Sequence, residues 1–395
     1  MNRKRRRAQG KAIQPAASGS AAVPDPFALH EAGIKAYRAG DLDRAAALIS
    51  QAVYFNGGVS SFHYNLGVVL KALGRLENAA ASYERAIALK LDYVDAHNNL
   101  GNVWKALGRP DRAKASFERA LQFNPGNADT HYNLGVLSCD LGLRGEAEAH
   151  FRRCLACDPV DSRGAGILLA HIGASESPER TTPAQLLSIY DVRSRFWDQE
   201  RTYFGARLVA DGLRRHAVAD SLNILDIGCG TGLVGIAVRD LADRLDGIDI
   251  SPAMLEKARA KRVYDQLFQA DLQSFLAGQE KSYDAVLAAA TLIHFGDLKP
   301  LFDAAAHCLR GDGLFVFTLF PHEAEPSDVA GDAGYAVAAH DRLAQSGCFR
   351  HKLSYVERLA ALAGFSVLEL KMTVHEHDQD GNPVSGILAV LRVTG

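Results

Sequence analysis

At 395 residues, with 48% hydrophobic and 23% charged residues, the chain has the make-up of globular material and exceeds what one ordinary core accommodates, so two domains are expected. Lys and Arg number 44 against 46 Asp and Glu, a formal net charge of −2, which excludes a global attraction to nucleic acid or an anionic membrane surface. No apolar run approaches the ~18 residues of a membrane-spanning helix, and Cys139, Cys154, Cys157, Cys229, Cys308 and Cys348 follow no framework spacing, which suits a reducing compartment; a cytoplasmic location is expected.

The chain opens Met1-Asn2-Arg3-Lys4-Arg5-Arg6-Arg7, followed by an Ala/Ser/Gly/Pro stretch to Pro26 in place of an apolar segment. Such a composition cannot bury enough surface to fold, so residues 1–26 are expected as a disordered basic tail. It is either a solvated end or a weak contact for RNA, ribosome or an acidic protein.

From residue 27 to 160 the sequence repeats with a spacing of 34. Gly33, Gly67, Gly101 and Gly135 are in register, as are Gly40, Gly74, Gly108 and Gly142, then Ala45, Ala79, Ala113 and Ala147. The bulky set is Ile49, Tyr83, Phe117 and Phe151, followed by Ala52, Ala86, Ala120 and Cys154. The first glycine lets two helices of one unit approach, the second ends helix A, and the alanine permits close packing beneath the bulky residue. Pro125 and Pro159 stop helix B of the last two units.

This pattern resembles the tetratricopeptide repeat family, with four units over 27–161. The resemblance implies an all-α solenoid whose helix A residues line a concave groove for a protein or peptide partner. Asn65, Asn99 and Asn133 recur just before the Leu-Gly pair of helix A. Two readings stand for them: amides that hold a bound peptide backbone, as in some family members, or amides that pack helices. Cys154-Leu155-Ala156-Cys157 has a metal-like spacing, but no second cysteine pair lies near and Cys154 fills the small packing position, so it is read as structural. Over 162–185, the apolar run Gly164–Ile172 predicts a capping helix and Gly173–Pro183 a linker.

From about Gln185 the pattern alternates between helix and apolar strand, the mark of a wound parallel sheet. Strands are predicted at 222–228, 244–250, 266–270, 283–289 and 313–320, with a final antiparallel pair near 365–372 and 385–393. Ile224 to Gly235 reads as a buried strand that breaks into alternating glycines and opens a helix. Gly228, Gly230 and Gly232 let the backbone approach a ligand closely, with Cys229 as a small filler. A dinucleotide fingerprint would need a glycine where Leu233 stands, and Asp226 precedes the loop. Asp249 ends the second strand, where a carboxylate can accept both ribose hydroxyls of an adenosine; Asp271 and the amide of Leu272, after the third, can read adenine. Ala288 lies in a fourth strand whose small residues leave room for a ligand.

Together these residues resemble the class I S-adenosylmethionine-dependent methyltransferases, across 186–395, an α/β Rossmann-like domain. The resemblance implies S-adenosylmethionine as cofactor, S-adenosylhomocysteine as product and no metal. It makes Asp226 through Gly232 the glycine-rich motif, Asp249 the ribose-binding acid, Ile250 a cofactor-binding residue, Asp271 the adenine-side acid and Met254 a packing residue on adenine. The joined architecture looks like bacterial predicted methyltransferases carrying tetratricopeptide repeats.

Methyl transfer from a sulfonium needs alignment more than a strong base, yet a hydroxyl or ammonium acceptor must lose a proton. His294, just past the fourth strand, is the first candidate; His351 and Tyr355 are weaker ones. Tyr190 and Phe196 lie in a segment that, in related enzymes, closes on the cofactor and shapes the acceptor pocket; packing is their other reading. His375-Glu376-His377 is read as surface, without a third metal ligand. The expected function is methyl transfer to an unidentified acceptor, with the repeats recruiting a protein partner. The rivals are a small-molecule enzyme whose repeats mediate assembly, and a non-catalytic scaffold.

Overall fold

The computed structural model describes residues 24–195, 197–199, 202–219, 221–322, 334–337, 347–378 and 381–394. The basic tail up to residue 23, Phe196 and most of the connection 321–350 lie outside them. The chain divides into two compact units between Leu107 and Gly108. Among the described residues no helix is long and apolar enough to cross a membrane.

The first unit is helical: α1 (Pro26–Arg38), α2 (Leu42–Phe55), α3 (Ser60–Ala72), α4 (Leu76–Leu89) and α5 (Val94–Ala106). The small and bulky positions of the repeat meet as expected. A Cβ on Gly67 would lie 2.7 Å from the ring of Tyr83, and one on Gly33 2.5 Å from Ile49, so only hydrogen permits the helix crossing. Two side-chain sets fasten the turns. His63 and His97, also 34 residues apart, place Nε2 3.0 Å from the carbonyls of Gly57 and Leu91. Asn65 donates to His30 Nε2 (2.8 Å) and Asn99 to Tyr64 Oη (3.0 Å), each joining its helix to one in the preceding repeat.

The second unit begins with α6 (Pro110–Phe123), α7 (Ala128–Asp140), which carries Asn133, and α8 (Arg144–Cys157). Gly135 meets Phe151 as Gly67 meets Tyr83, at 2.5 Å from a built Cβ. The apolar run after Pro159 forms α9 (Ala165–His171), whose first amides are held by the Asp161 carboxylate at 2.6 and 2.9 Å. Its Ala165, Leu168 and Leu169 close over Val136, Phe151 and Cys154. Burial pushes the Cys154 thiol up to about 12, which makes it a packing group. The linker-like stretch then runs extended: Thr181 N–H bonds the His294 carbonyl (2.8 Å), and Glu179 accepts from Gly296 N–H (2.7 Å).

After α10 (Pro183–Arg193) and α11 (Gly205–His216) come β1 (Leu222–Ile227), α12 (Leu233–Val238), β2 (Ala242–Asp249), α13 (Pro252–Lys261), β3 (Gln266–Gln269) and α14 (Leu272–Ala277). Then follow β4 (Tyr283–Ala288), α15 (Lys299–Cys308) and β5 (Leu309–Pro321). The sheet runs β3-β2-β1-β4-β5 in parallel, extended by antiparallel β9 (Pro383–Val393), which also pairs with β8 (Phe365–His377). Two short strands, β6 (Tyr335–Val337) and β7 (Phe349–His351), were not foreseen; β7 pairs with the last residues of β5. α16 (Leu353–Leu362) precedes β8.

Alternate residues of the central strands feed opposite layers, which is why these strands read as nearly continuous apolar runs. Ile224, Leu287 and Val316 meet Val209 and Leu213 of α11, whereas Leu225, Val286 and Phe315 meet Phe302 of α15 and Val356 of α16.

One surface expectation is overturned. His375 is 1% exposed, with Nε2 3.1 Å from Thr318 Oγ1. The β8–β9 register slips between Val374 and Glu376, and such a bulge re-aims a side chain. Gly386 on β9 leaves room for the ring, and residues 202–204 cover the strand through Phe204 N–H to the His375 carbonyl (2.9 Å).

The small-against-bulky crossing gives a stability test. Gly135→Val is expected to lower the melting temperature, at a cost of roughly 1–3 kcal/mol for overpacking. Gly145→Ala, where an added Cβ meets nothing within 4 Å, is expected to leave it unchanged or raise it. Calorimetric melts of the full chain compare the two.

Candidate active site

The carboxyl ends of β1 to β4 open on a cavity with about 890 Å³ of empty space, open solvent included. Parallel sheets concentrate loops there, and each contributes: Gly228 to Gly230 after β1, Asp249 and Ile250 from β2, Ala270 to Leu272 after β3, and Ala289 to Thr291 after β4. Leu186, Tyr190, Trp197 and Tyr203, which precede the sheet in sequence, form the opposite wall.

The glycine loop has the backbone its composition demands, with φ of 68° at Gly228 and 53° at Gly230. A Cβ on Gly228 would collide with Thr291, whereas one on Gly230 would meet nothing within 4 Å. Asp249 fixes the loop: Oδ2 accepts from Gly230 N–H (2.9 Å) and Oδ1 from Ser251 N–H (2.8 Å). Desolvation nevertheless pushes its carboxyl up to about 6, against those backbone hydrogen bonds. Gly232 begins α12 and lies outside the lining, as does Ala288, fully buried in β4 beside Ala289 and Ala290.

Asp226 lies beneath the loop and does not line the cavity. Its Oδ2 accepts from Tyr264 Oη (2.6 Å), and its Oδ1 meets no donor among the described residues. Burial and the Asp249 charge push it up to about 7, although the Tyr264 hydrogen bond opposes them. The same burial and carboxylates hold the Cys229 thiol well above its ordinary value, so it is not a nucleophile. Met254, 2% exposed, stands in the wall; its N–H is held by Ser251 Oγ at 3.2 Å, and that hydroxyl donates to Asp191 (2.9 Å). Leu272 and Ile250 complete the apolar lining on that side.

Asp271 caps α14 by accepting from Ser274 N–H (3.3 Å) and pairs with Arg180 at 2.7 Å; the guanidinium also reaches Gln273 (3.1 Å). Sequence reasoning passed over Arg180, because its stretch has a linker's composition. It also missed Tyr264, and the bridge in which Asp198 accepts from Thr231 Oγ1 (2.5 Å) and Lys261 (2.7 Å). These partners are 33 and 63 residues apart, and no spacing rule links them.

His294 ends a turn at Leu292–His294 and lines the cavity beside Tyr190, with Nε2 2.6 Å from the Tyr190 hydroxyl and Nδ1 3.2 Å from the Gly347 carbonyl. Burial lowers its pKa to about 4. His351 and Tyr355, expected on the acceptor or lid side, stand outside the lining. His351 Nε2 is 2.9 Å from the Phe295 carbonyl, and Tyr355 Oη accepts from Leu298 N–H (3.0 Å) and donates to Asp297 (2.9 Å). Both are turned onto residues 295–298 and brace that loop from behind.

The cavity suits S-adenosylmethionine on its own terms. Two carboxyls pushed up by desolvation, one with an orphaned oxygen, are relieved by a cationic ligand, and the open space over Gly230 admits a ligand against the backbone.

A methyltransferase-domain model matches residues 225–317, and a TPR repeat and a tetratricopeptide repeat model match 67–108 and 94–127. The chain is 35% identical over 103 residues to malonyl-[acyl-carrier protein] O-methyltransferase of Acetivibrio thermocellus, which covers 26% of this chain and 36% of the relative. It is 30% identical over 180 residues to trans-aconitate 2-methyltransferase of Enterobacter sp., which covers 39% of this chain and 69% of the relative. Among solved structures, the Burkholderia thailandensis 1,6-didemethyltoxoflavin-N1-methyltransferase with bound S-adenosylhomocysteine is similar at 16% identity and a TM-score of 0.42, over 54% of this chain and 87% of that one. The chain spans 36% to 47% of the length of the first three curated relatives it matches. With its glycine loop and strand-end acids inside the matched region, the chain belongs to the S-adenosylmethionine-dependent methyltransferase family, with tetratricopeptide repeats ahead of that domain.

Proposed function

We propose that this chain transfers a methyl group from S-adenosylmethionine to an acceptor in the same cavity, and that its repeats recruit or position a protein or peptide partner. The observation that carries the first part is the pair of desolvated carboxyls, Asp226 and Asp249, around an open glycine loop. When bound, the cofactor supplies an activated methyl on a sulfonium. The chain's residues bind, orient and keep out water. Asp249, which holds Gly230, would meet the ribose, and Asp271, paired with Arg180, would lie on the adenine side with Leu272, Ile250 and Met254. Gly228, Cys229 and Gly230 would hold the amino-acid end, and ionised Asp226 beneath the loop would supply negative charge. His294 is the candidate proton acceptor.

Leu186, Trp197, Tyr203 and Phe295 make the remaining wall apolar, which favours a small molecule or a single carried group as acceptor. The named relatives act on such molecules. A protein partner would then deliver the acceptor or regulate access. Asn65 and Asn99, whose amides are bonded to His30 and Tyr64, serve helix packing, and the partner reading rests on the repeats themselves.

Asp249→Ala is expected to weaken S-adenosylhomocysteine binding by one to two orders of magnitude, since a hydrogen bond to a charged group contributes about 1.5–3 kcal/mol. Arg180→Ala, which releases Asp271, is expected to weaken it less. Titration calorimetry reads both, and an unchanged Asp249→Ala affinity would refute the cofactor site.

Binding should also depend on pH. Asp226 titrates near 7, above its ordinary value, so the unliganded fold gains stability from its protonated form at low pH and loses that gain as pH rises through about 7. A cationic ligand prefers the ionised form. S-adenosylmethionine affinity is therefore expected to rise as pH passes through about 7, and Asp226→Asn to flatten that rise. Equal slopes in both proteins would remove Asp226 from the linkage.

A further inference from the structure

Tyr190 and His294 form a hydrogen-bonded pair whose proton positions follow from their surroundings. The Gly347 carbonyl can only accept, so His294 Nδ1, 3.2 Å away, carries the ring hydrogen. Nε2 is then a bare lone pair, and the Tyr190 hydroxyl at 2.6 Å donates to it. The geometry is pinned from several sides. The His294 carbonyl accepts from Thr181 N–H (2.8 Å), the His294 N–H reaches the Thr291 carbonyl (3.2 Å), and the Thr181 hydroxyl shares the Gly347 carbonyl. Trp197 packs edge-on against Tyr190 at 6.1 Å, and the Arg193 guanidinium lies 5.2 Å from the centre of the Trp197 ring.

We propose that Tyr190 Oη is the atom that takes the acceptor's proton as its own proton passes to His294 Nε2, so that the site serves a neutral acceptor bearing a hydroxyl or another protic group. This rests on the methyl-transfer reading above. With its hydrogen committed to His294 and one lone pair met by the Arg193 guanidinium, the Tyr190 oxygen offers the cavity its second lone pair, and a hydroxyl satisfies it. A carboxylate would bring lone pairs against lone pairs and add charge beside Asp249.

The step balances. The acceptor oxygen forms a bond to the methyl carbon, whose bond to sulfur breaks with the electron pair left on sulfur. The acceptor proton moves to Tyr190 Oη and the tyrosine proton to His294 Nε2. One positive charge is present before, on sulfonium, and one after, on imidazolium, so no new charge is created in the desolvated cavity. Burial raises the Tyr190 hydroxyl above its ordinary value, with Cys348 and Asp249 adding to it and Arg193 opposing, and burial with Arg193 lowers His294, so the pair rests neutral and the imidazolium forms only as the sulfonium charge is discharged.

Two readouts on the full chain test this. In protein labelled with ¹⁵N-histidine, His294 is expected to show a proton on Nδ1 alone at neutral pH, and Tyr190→Phe is expected to shift the Nε2 resonance while S-adenosylhomocysteine affinity holds within about two-fold. A proton on Nε2 overturns the pairing. In the second, methyl-labelled S-adenosylmethionine is incubated with a small-molecule extract of the source cells. The labelled product is expected to survive mild alkali, as ethers and amines do, and Tyr190→Phe and His294→Gln are each expected to slow labelling on the order of 100-fold at unchanged S-adenosylhomocysteine affinity. Alkali-labile methyl esters, variant rates equal to wild type, or a wild type that binds S-adenosylhomocysteine yet labels nothing all overturn the proposal. A wild type that fails to bind S-adenosylhomocysteine removes the underlying cofactor reading instead.

Discussion

Desolvating a carboxylate is costly unless donors or a cation meet it, and the second half of the chain brings two carboxyls to the ends of adjacent parallel strands. Asp249 recovers part of that cost by clasping Gly230 and Ser251, which sets the glycine loop and the start of α13 together. Asp226 recovers less, since Tyr264 meets one oxygen and the other has no donor among the described residues. The loop's shape and the unmet carboxyl oxygen beneath it thus have one origin.

The wall facing those carboxyls is built from Arg180, Thr181, Leu186, Tyr190 and Trp197, which carry little of the sheet's core. Arg180 reaches Asp271, Asp191 accepts from Ser251 Oγ, Asp198 joins Thr231 and Lys261, and Tyr190 reaches His294. The same segment is tied to the end of the helical array, because Thr182 Oγ1 donates to the carbonyl of Asp161, the residue that caps α9. Within the second unit the hydrogen bonding is thus continuous from α9 to the wall of the cavity.

Much of this was legible because it is periodic or local. The spacing of 34 placed Gly33 under Ile49 and Gly67 under Tyr83, since a helical repeat must solve the same packing problem in each unit. An apolar run broken by glycine located β1, and the apolar stretch from Ala285 to Ala290 located β4, because a strand covered on both faces has little polar alternation. The histidines His63 and His97 share that period and were overlooked; their role is to meet backbone carbonyls at the turn, which a search for bulky and small residues does not detect. His375 was misplaced because alternation was extended through a bulge that only the β8–β9 pairing reveals.

By itself, then, the sequence determined the repeat, the strand order of acids and glycines, and hence the cofactor class, since each depends on neighbours in the chain. The tertiary structure alone decided which side chains share the cavity. Tyr190 and His294 are 104 residues apart, and Arg180 and Asp271 91 apart. Their pairing depends on how α10 and a linker-like strand settle across the sheet's carboxyl edge. It also turned His351 and Tyr355 away, because the loop at 295–298 offers carbonyls and an amide that need partners behind the wall. Local pattern fixes elements, but desolvation and hydrogen bonding between distant elements fix which atoms face the reaction.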